Sequence, residues 1–161
     1  MIGLPLTMLI TLYCLLFFFF QKKPFSFLQN SIVFMGLTLV TTNFITILAL
    51  NLDYIKTTEN PLLFPSVLLY RDVIIPLLVL IFINGFRASF TIKSKILYFL
   101  IITACLNGME ALLLYFHVLE YTKWNSINAA AANCLFLIIG LWMGKMVLHV
   151  SKRSPKHESD L

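Results

Sequence analysis

Between Phe64 and Phe86 the chain reads FPSVLLYRDVIIPLLVLIFINGF, an apolar run with an arginine and an aspartate side by side and a proline four residues later. A helix needs about 20 apolar residues to cross the hydrocarbon core of a bilayer. The uninterrupted piece from Val73 to Phe86 supplies only 14, so Arg71 and Asp72 are expected inside the span. A charge at mid-helix costs roughly 2.5 to 3.5 kcal/mol on insertion scales, so it turns toward a partner or a wet cavity instead of lipid. Pro76 adds a second constraint in the same place. It has no N–H to donate to the carbonyl of Asp72, and a kink is expected there.

The rest of the chain suits such a span. Hydrophobic residues make up 60% of the 161 and charged residues only 12%, which places the whole sequence in the integral membrane class. Five apolar runs are legible, at about 2–20, 27–52, 64–86, 96–119 and 127–150. The expected fold is therefore all-α: residues 1–150 form one five-helix transmembrane bundle, and 151–161 form a short basic and polar tail.

The first run ends in four phenylalanines and is followed by Gln21, Lys22, Lys23 and Pro24. A signal peptide has its positive charge ahead of the apolar core and a small-residue cleavage site behind it, so this run reads as a retained first span. In the second run Thr38, Thr42 and Thr46 recur every four residues and share one helix face, expected to serve packing. Asp53 to Pro61 reads as a polar loop, Arg87 to Lys95 as a short basic loop, and Glu120 to Ser126 as a loop whose Tyr121 and Trp124 suit headgroup level.

In the fourth run Asn107, Glu110, Leu114 and His117 fall on one stripe. His117 is expected at the outer interface, solvated. In the fifth run Ala129, Asn133, Gly140 and Gly144 share a face, a small-residue seam that lets two helices approach closely, within the chain or in a dimer.

Lys22, Lys23, Arg87, Lys93, Lys95, Lys145, Lys152, Arg153 and Lys156 fall on one side of this arrangement, and Lys56 and Lys123 on the other. Basic residues are retained on the cytoplasmic side, so the N-terminus is expected outside and the C-terminus in the cytoplasm. On that orientation Asn43, Arg71 and Glu110 each lie about nine residues in from the outer end, roughly 13 Å deep, with Asn133 slightly shallower. The expectation is a buried polar layer in which Arg71 pairs with Glu110 across the third and fourth spans. Asn43, Asn107 and Asn133 would complete it. Asp72 belongs to the same layer, but it lies about 100° around the helix from Arg71 and the two cannot aim at one point. One is expected to turn inward and the other to reach a neighbouring helix or the outer headgroups. Such a layer either specifies helix packing alone or binds a proton, an ion or a lipid headgroup.

The net charge of +5 reports orientation and not nucleic-acid binding, since no basic cluster interleaved with aromatics is present. Cys14, Cys105 and Cys134 are odd in number, far apart and apolar in setting, which argues against a disulfide framework or a zinc site. No H-E-x-x-H, G-x-S-x-G, Walker or dinucleotide motif occurs, and no inverted repeat of the secondary-transporter kind. No metal or cofactor is implied.

The second half, with IIPLLVLIFI, the basic loop, KILYFLIITACLNGMEALLLYF, EYTKWNS and LHVSKRSP, resembles a group of five-span membrane proteins of no assigned activity, found mainly in spore-forming Gram-positive bacteria. The likeness covers Val73 to Pro155 and is carried by Pro76, Glu110, Tyr121, Trp124 and Asn125. It implies a bacterial cytoplasmic membrane and five spans.

The sequence thus leads to a non-enzymatic, membrane-embedded interaction or accessory protein. Its partners would be the lipid bilayer and another membrane protein or a second copy of the chain. The alternative is a small transporter or channel-like protein that uses Arg71 and Glu110, with an intramembrane enzyme ranking third.

Overall fold

In the computed structural model, which describes residues 3–89 and 91–153, five helices are long and apolar enough to cross a membrane. They are α1 (Gly3–Phe20), α2 (Phe27–Asn51), α3 (Phe64–Ala88), α4 (Ile92–Tyr115) and α5 (Ser126–Arg153). Two short strands, β1 (Ile55–Thr57) and β2 (Leu119–Tyr121), pair antiparallel with Ile55 opposite Tyr121 and Thr57 opposite Leu119. The two segments read as plain loops from sequence therefore clasp each other.

α3 is the hub. From Val73 to Ile83 it is apolar all round, the composition of a helix enclosed on every side, and each residue from Ile74 to Gly85 is buried. Its best 18-residue window is 72% buried, against 22 to 28% in the other four helices. Those four surround it and turn apolar side chains outward, among them Leu12, Phe17, Leu39, Leu97, Leu100, Ile138 and Val150. Exposed apolar surface on this scale suits contact with lipid, not water.

The small-residue seam of α5 lies inside the bundle. A Cβ on Gly140 would collide with Val79, and one on Gly144 would come within 3.1 Å of Ile83 and 3.2 Å of Phe25. The seam is where α5 lies directly on α3, which leaves Gly140 and Gly144 buried and closes this face to a second chain.

The fourth span sits one helical turn earlier than the expected 96–119. Thr91 caps its start by accepting from the Ser94 N–H at 3.3 Å. Its end is a left-handed stop: His117 has φ 53°, its N–H donates to the Leu114 carbonyl, and the Val118 N–H donates to the Leu113 carbonyl. Buried Leu113 and Val118 are the apolar positions that accompany this 6→1 closure. Lys93 and Lys95 thus belong to the helix, and His117 lies beyond it, exposed. The third span likewise runs on to Ala88, and α5 continues to Arg153. The tail from residue 154 lies outside the described residues.

Gly3 lies against Leu63, Phe116 and Val118, so the start of α1 shares one end of the bundle with the strand pair. At the opposite end Gln29 donates to Ser151 at 3.0 Å, joining the start of α2 to the last turns of α5.

The seam gives a direct test of this packing. Gly140→Ala should destabilise the purified protein by about 1 to 3 kcal/mol through overpacking. Gly108→Ala, whose new methyl meets nothing within 4 Å, should be neutral or gain about 0.5 to 1 kcal/mol. Denaturation of both variants in the same detergent reads the difference.

Candidate functional site

The residues expected in one polar layer fall into two separate clusters, with Asn43 in neither. The first is built on an irregularity in α3. From Leu69 to Ile74 the helix widens to a π-helical turn, and Pro76 follows at once. A π-turn bonds each N–H five residues back and an α-turn four back, so the missing Pro76 N–H deprives either Arg71 or Asp72 of its carbonyl donor. α2 supplies substitutes. Thr41 Oγ1 lies 3.0 Å from the Arg71 carbonyl and 3.0 Å from that of Leu37 on its own helix. Thr38 Oγ1 lies 3.0 Å from the Phe34 carbonyl and 3.3 Å from that of Asp72, so each hydroxyl is shared between the two helices.

The same threonine face holds the charged side chains. Arg71 Nε donates to Asp72 Oδ1 at 2.7 Å and Nη2 to Oδ2 at 3.1 Å, a two-pronged ion pair between sequence neighbours. Thr42 donates to Asp72 Oδ1 at 2.7 Å, and Arg71 Nη1 reaches Thr46 at 3.4 Å. This corrects two expectations. Arg71 does not pair with Glu110, and Asp72 does not aim away from it. The arginine side chain is long enough to curl back to the adjacent carboxylate, which neutralises the charge where it arises. The two side chains remain 20% and 31% exposed.

The second cluster joins α4, α5 and β2. Tyr121 donates to Glu110 Oε1 at 2.6 Å, and Asn133 Nδ2 lies 3.4 Å from Oε2. Asn133 also donates to Asn107 Oδ1 at 3.1 Å, and Asn107 donates to the Thr103 carbonyl at 2.9 Å. The carboxylate therefore has a donor on each oxygen without a cation. Burial and the adjacent Glu110 carboxylate push the Tyr121 phenol up from its usual value, so it remains a donor throughout the physiological range. Beside Glu110 is a small space of about 30 Å³, lined by Tyr70, Phe44, Trp124, Ala129, Asn133 and Phe136.

Asn43, expected in the layer, is exposed and donates to the Leu39 carbonyl of its own helix at 2.7 Å. It is adjacent to Thr42, which faces α3, and a helix turns neighbours about 100° apart. His117 sits outside both clusters, exposed, with Nδ1 3.7 Å from Glu120. Two features were missed from sequence. Tyr121 was read as a headgroup-level aromatic and as part of the resemblance, without its bond to Glu110, and Asn84 was not singled out. Fully buried Asn84 donates to Asn30 Oδ1 at 2.8 Å, and Asn30 donates to the Phe25 carbonyl at 3.1 Å. A lone asparagine in the otherwise apolar run from Val73 to Phe86 was the available signal.

No protein-family model, no curated protein and no solved structure matches this chain.

The correction to the Arg71 partner is measurable by double-mutant cycles. Replacing Asp72 by Asn should cost about 1 to 3 kcal/mol, between the values for exposed and buried pairs. Arg71→Met and Asp72→Asn should couple by more than about 0.5 kcal/mol, whereas Arg71→Met and Glu110→Gln should be additive within that margin.

Proposed function

We propose that this chain is a non-enzymatic, multi-pass protein of the bacterial cytoplasmic membrane, its start outside and its end in the cytoplasm. It acts through surrounding lipids, a membrane-protein partner or a second copy of itself. Its polar clusters hold helices together and do not carry a solute. The observation that supports this reading most directly is the state of the Glu110 carboxylate: it is paired by two neutral donors beside a space of only about 30 Å³. That is room for about one or two water molecules. A transport site built on Arg71 and Glu110 acting together loses its basis, because each is satisfied in a different cluster.

The orientation is supported by the sorting of charge between the two ends. Lys22, Lys23, Arg87, Lys95 and Lys145 belong to the end where α2 meets the last turns of α5. Lys56 and Lys123 belong to the end closed by the strands. The resemblance of Val73 to Pro155 to five-span proteins of spore-forming bacteria supports the choice of membrane. With the Gly140 and Gly144 seam used internally, a partner would have to meet the outward apolar faces.

Reconstitution tests the central point. Liposomes containing the purified protein should leak protons, sodium and potassium no faster than empty ones under an imposed gradient and potential. A flux above that baseline, abolished by Glu110→Gln or Asp72→Asn in variants that reconstitute equally well, would overturn the reading.

A further inference from the structure

At the end opposite the strands, α3, α4 and α5 line an open cavity of about 570 Å³ that neither polar cluster uses. Arg87 from the end of α3, Lys95 from the first turn of α4 and Lys145 from α5 bring three cations to it. A smaller space of about 220 Å³ continues along Arg87, Lys145 and His149. On α5 the lining residues Ile138, Leu141, Trp142 and Lys145 follow helical spacing, so one stripe runs from apolar to basic along the cavity wall.

The charge is uncompensated among the described residues. The ion pairs there are Arg71 with Asp72 and His117 with Glu120, and neither touches this cavity. Arg87 and Lys95 are steadied by aromatic faces instead, Arg87 at 5.0 Å from the Phe25 ring centre and Lys95 at 5.3 Å from that of Phe86. Such contacts position a cation without cancelling its charge. Lys95 also stands in the first turn of α4, where the helix dipole is already positive and no acidic residue is present.

We propose that this cavity binds the phosphate-bearing headgroup of an anionic phospholipid, with the acyl chains lying along Ile138 and Trp142. The basic floor answers a phosphodiester. The rim argues for a lipid over a free anion: Trp142 is 61% and Ile138 60% exposed, so the cavity opens sideways onto the apolar surface of the bundle. Basic pockets between helices at the cytoplasmic end of membrane proteins suit anionic headgroups in this way. The inference rests on the proposed membrane orientation but not on the absence of transport, and it is measured separately from flux.

Native mass spectrometry of the detergent-purified protein provides the test. The probes are phosphatidylglycerol, cardiolipin, phosphatidylcholine and inorganic phosphate. Phosphatidylglycerol or cardiolipin should be retained at low stoichiometry and phosphatidylcholine lost. Arg87→Gln/Lys95→Gln/Lys145→Gln should weaken retention at least tenfold, while Lys22→Gln/Lys23→Gln, which removes charge at the same end away from the cavity, should leave it unchanged. If the triple variant is poorly folded, single Lys145→Gln and Trp142→Ala variants, both altered at exposed positions, should each weaken retention severalfold. Equal retention of phosphatidylcholine, equal losses in the cavity and control variants, or retention of inorganic phosphate that displaces the lipid would each overturn the proposal.

Discussion

Pro76 has no N–H to give, and in a helix surrounded by other helices and lipid the carbonyl it leaves unmatched cannot turn to water. An unsatisfied backbone group in hydrocarbon costs several kcal/mol, which makes its satisfaction a condition for α3 to exist at all. α2 answers that condition by bringing the Thr41 and Thr38 hydroxyls to the carbonyls of Arg71 and Asp72, shared with the carbonyls of Leu37 and Phe34 on α2 itself. Because those hydroxyls are fixed to one face of α2, they also fix its rotation and height against α3. The threonine spacing, the π-turn and the proline are therefore one structural device, and the ion pair of Arg71 and Asp72 sits on top of it. The arginine's charge is cancelled by a sequence neighbour, and its Nη1 reaches Thr46.

The second cluster does for α4 and α5 what the threonines do for α2. Glu110, Asn107 and Asn133 tie two helices that touch α3 on other sides, and Tyr121 extends the tie to the strand pair. The strands in turn depend on the ends of α2 and α4. Asp53, at φ 51°, and His117 turn the chain out of each helix, and the carbonyl of Tyr54 then accepts from the N–H groups of Thr122, Lys123 and Trp124. Trp124 packs with Tyr54 and Phe44, which roofs the space beside Glu110 with aromatic rings. This carboxylate stands on α4 and accepts hydrogen bonds from β2 and α5, so its geometry is set by three elements of the half that carries the strands.

Five spans, their approximate limits and the packing role of the threonine face were legible because they depend on local composition and helical period. Partner identity was not. Depth along the helix put Arg71 and Glu110 at the same level, but depth says nothing about azimuth, and the choice between Glu110 and Asp72 turned on how a π-turn and a flexible guanidinium share space. The same limit applies to Asn43, placed in the layer by depth and turned outward by its angle. The end of α4 was misplaced by one turn because the Leu113 and Val118 closure looks, in sequence, like a continuing apolar run. The strands were invisible for a different reason: three residues each, they exist only because two distant connections meet.

Charge in this bundle is partitioned by the means used to hold it. Among the described residues the carboxylates Asp53, Glu59, Asp72, Glu110 and Glu120 all belong to the half that carries the strands. At the other end aromatic rings take the place of counter-ions, with Lys23 over Phe18 at 4.2 Å as well as Arg87 over Phe25 and Lys95 over Phe86. Salt bridges there would have stabilised individual side chains at the expense of the positive field at that end. Aromatic contacts anchor the long side chains and leave that field intact, so the phenylalanines at this end, beyond adding apolar area, allow a cluster of cations to stay charged and ordered together.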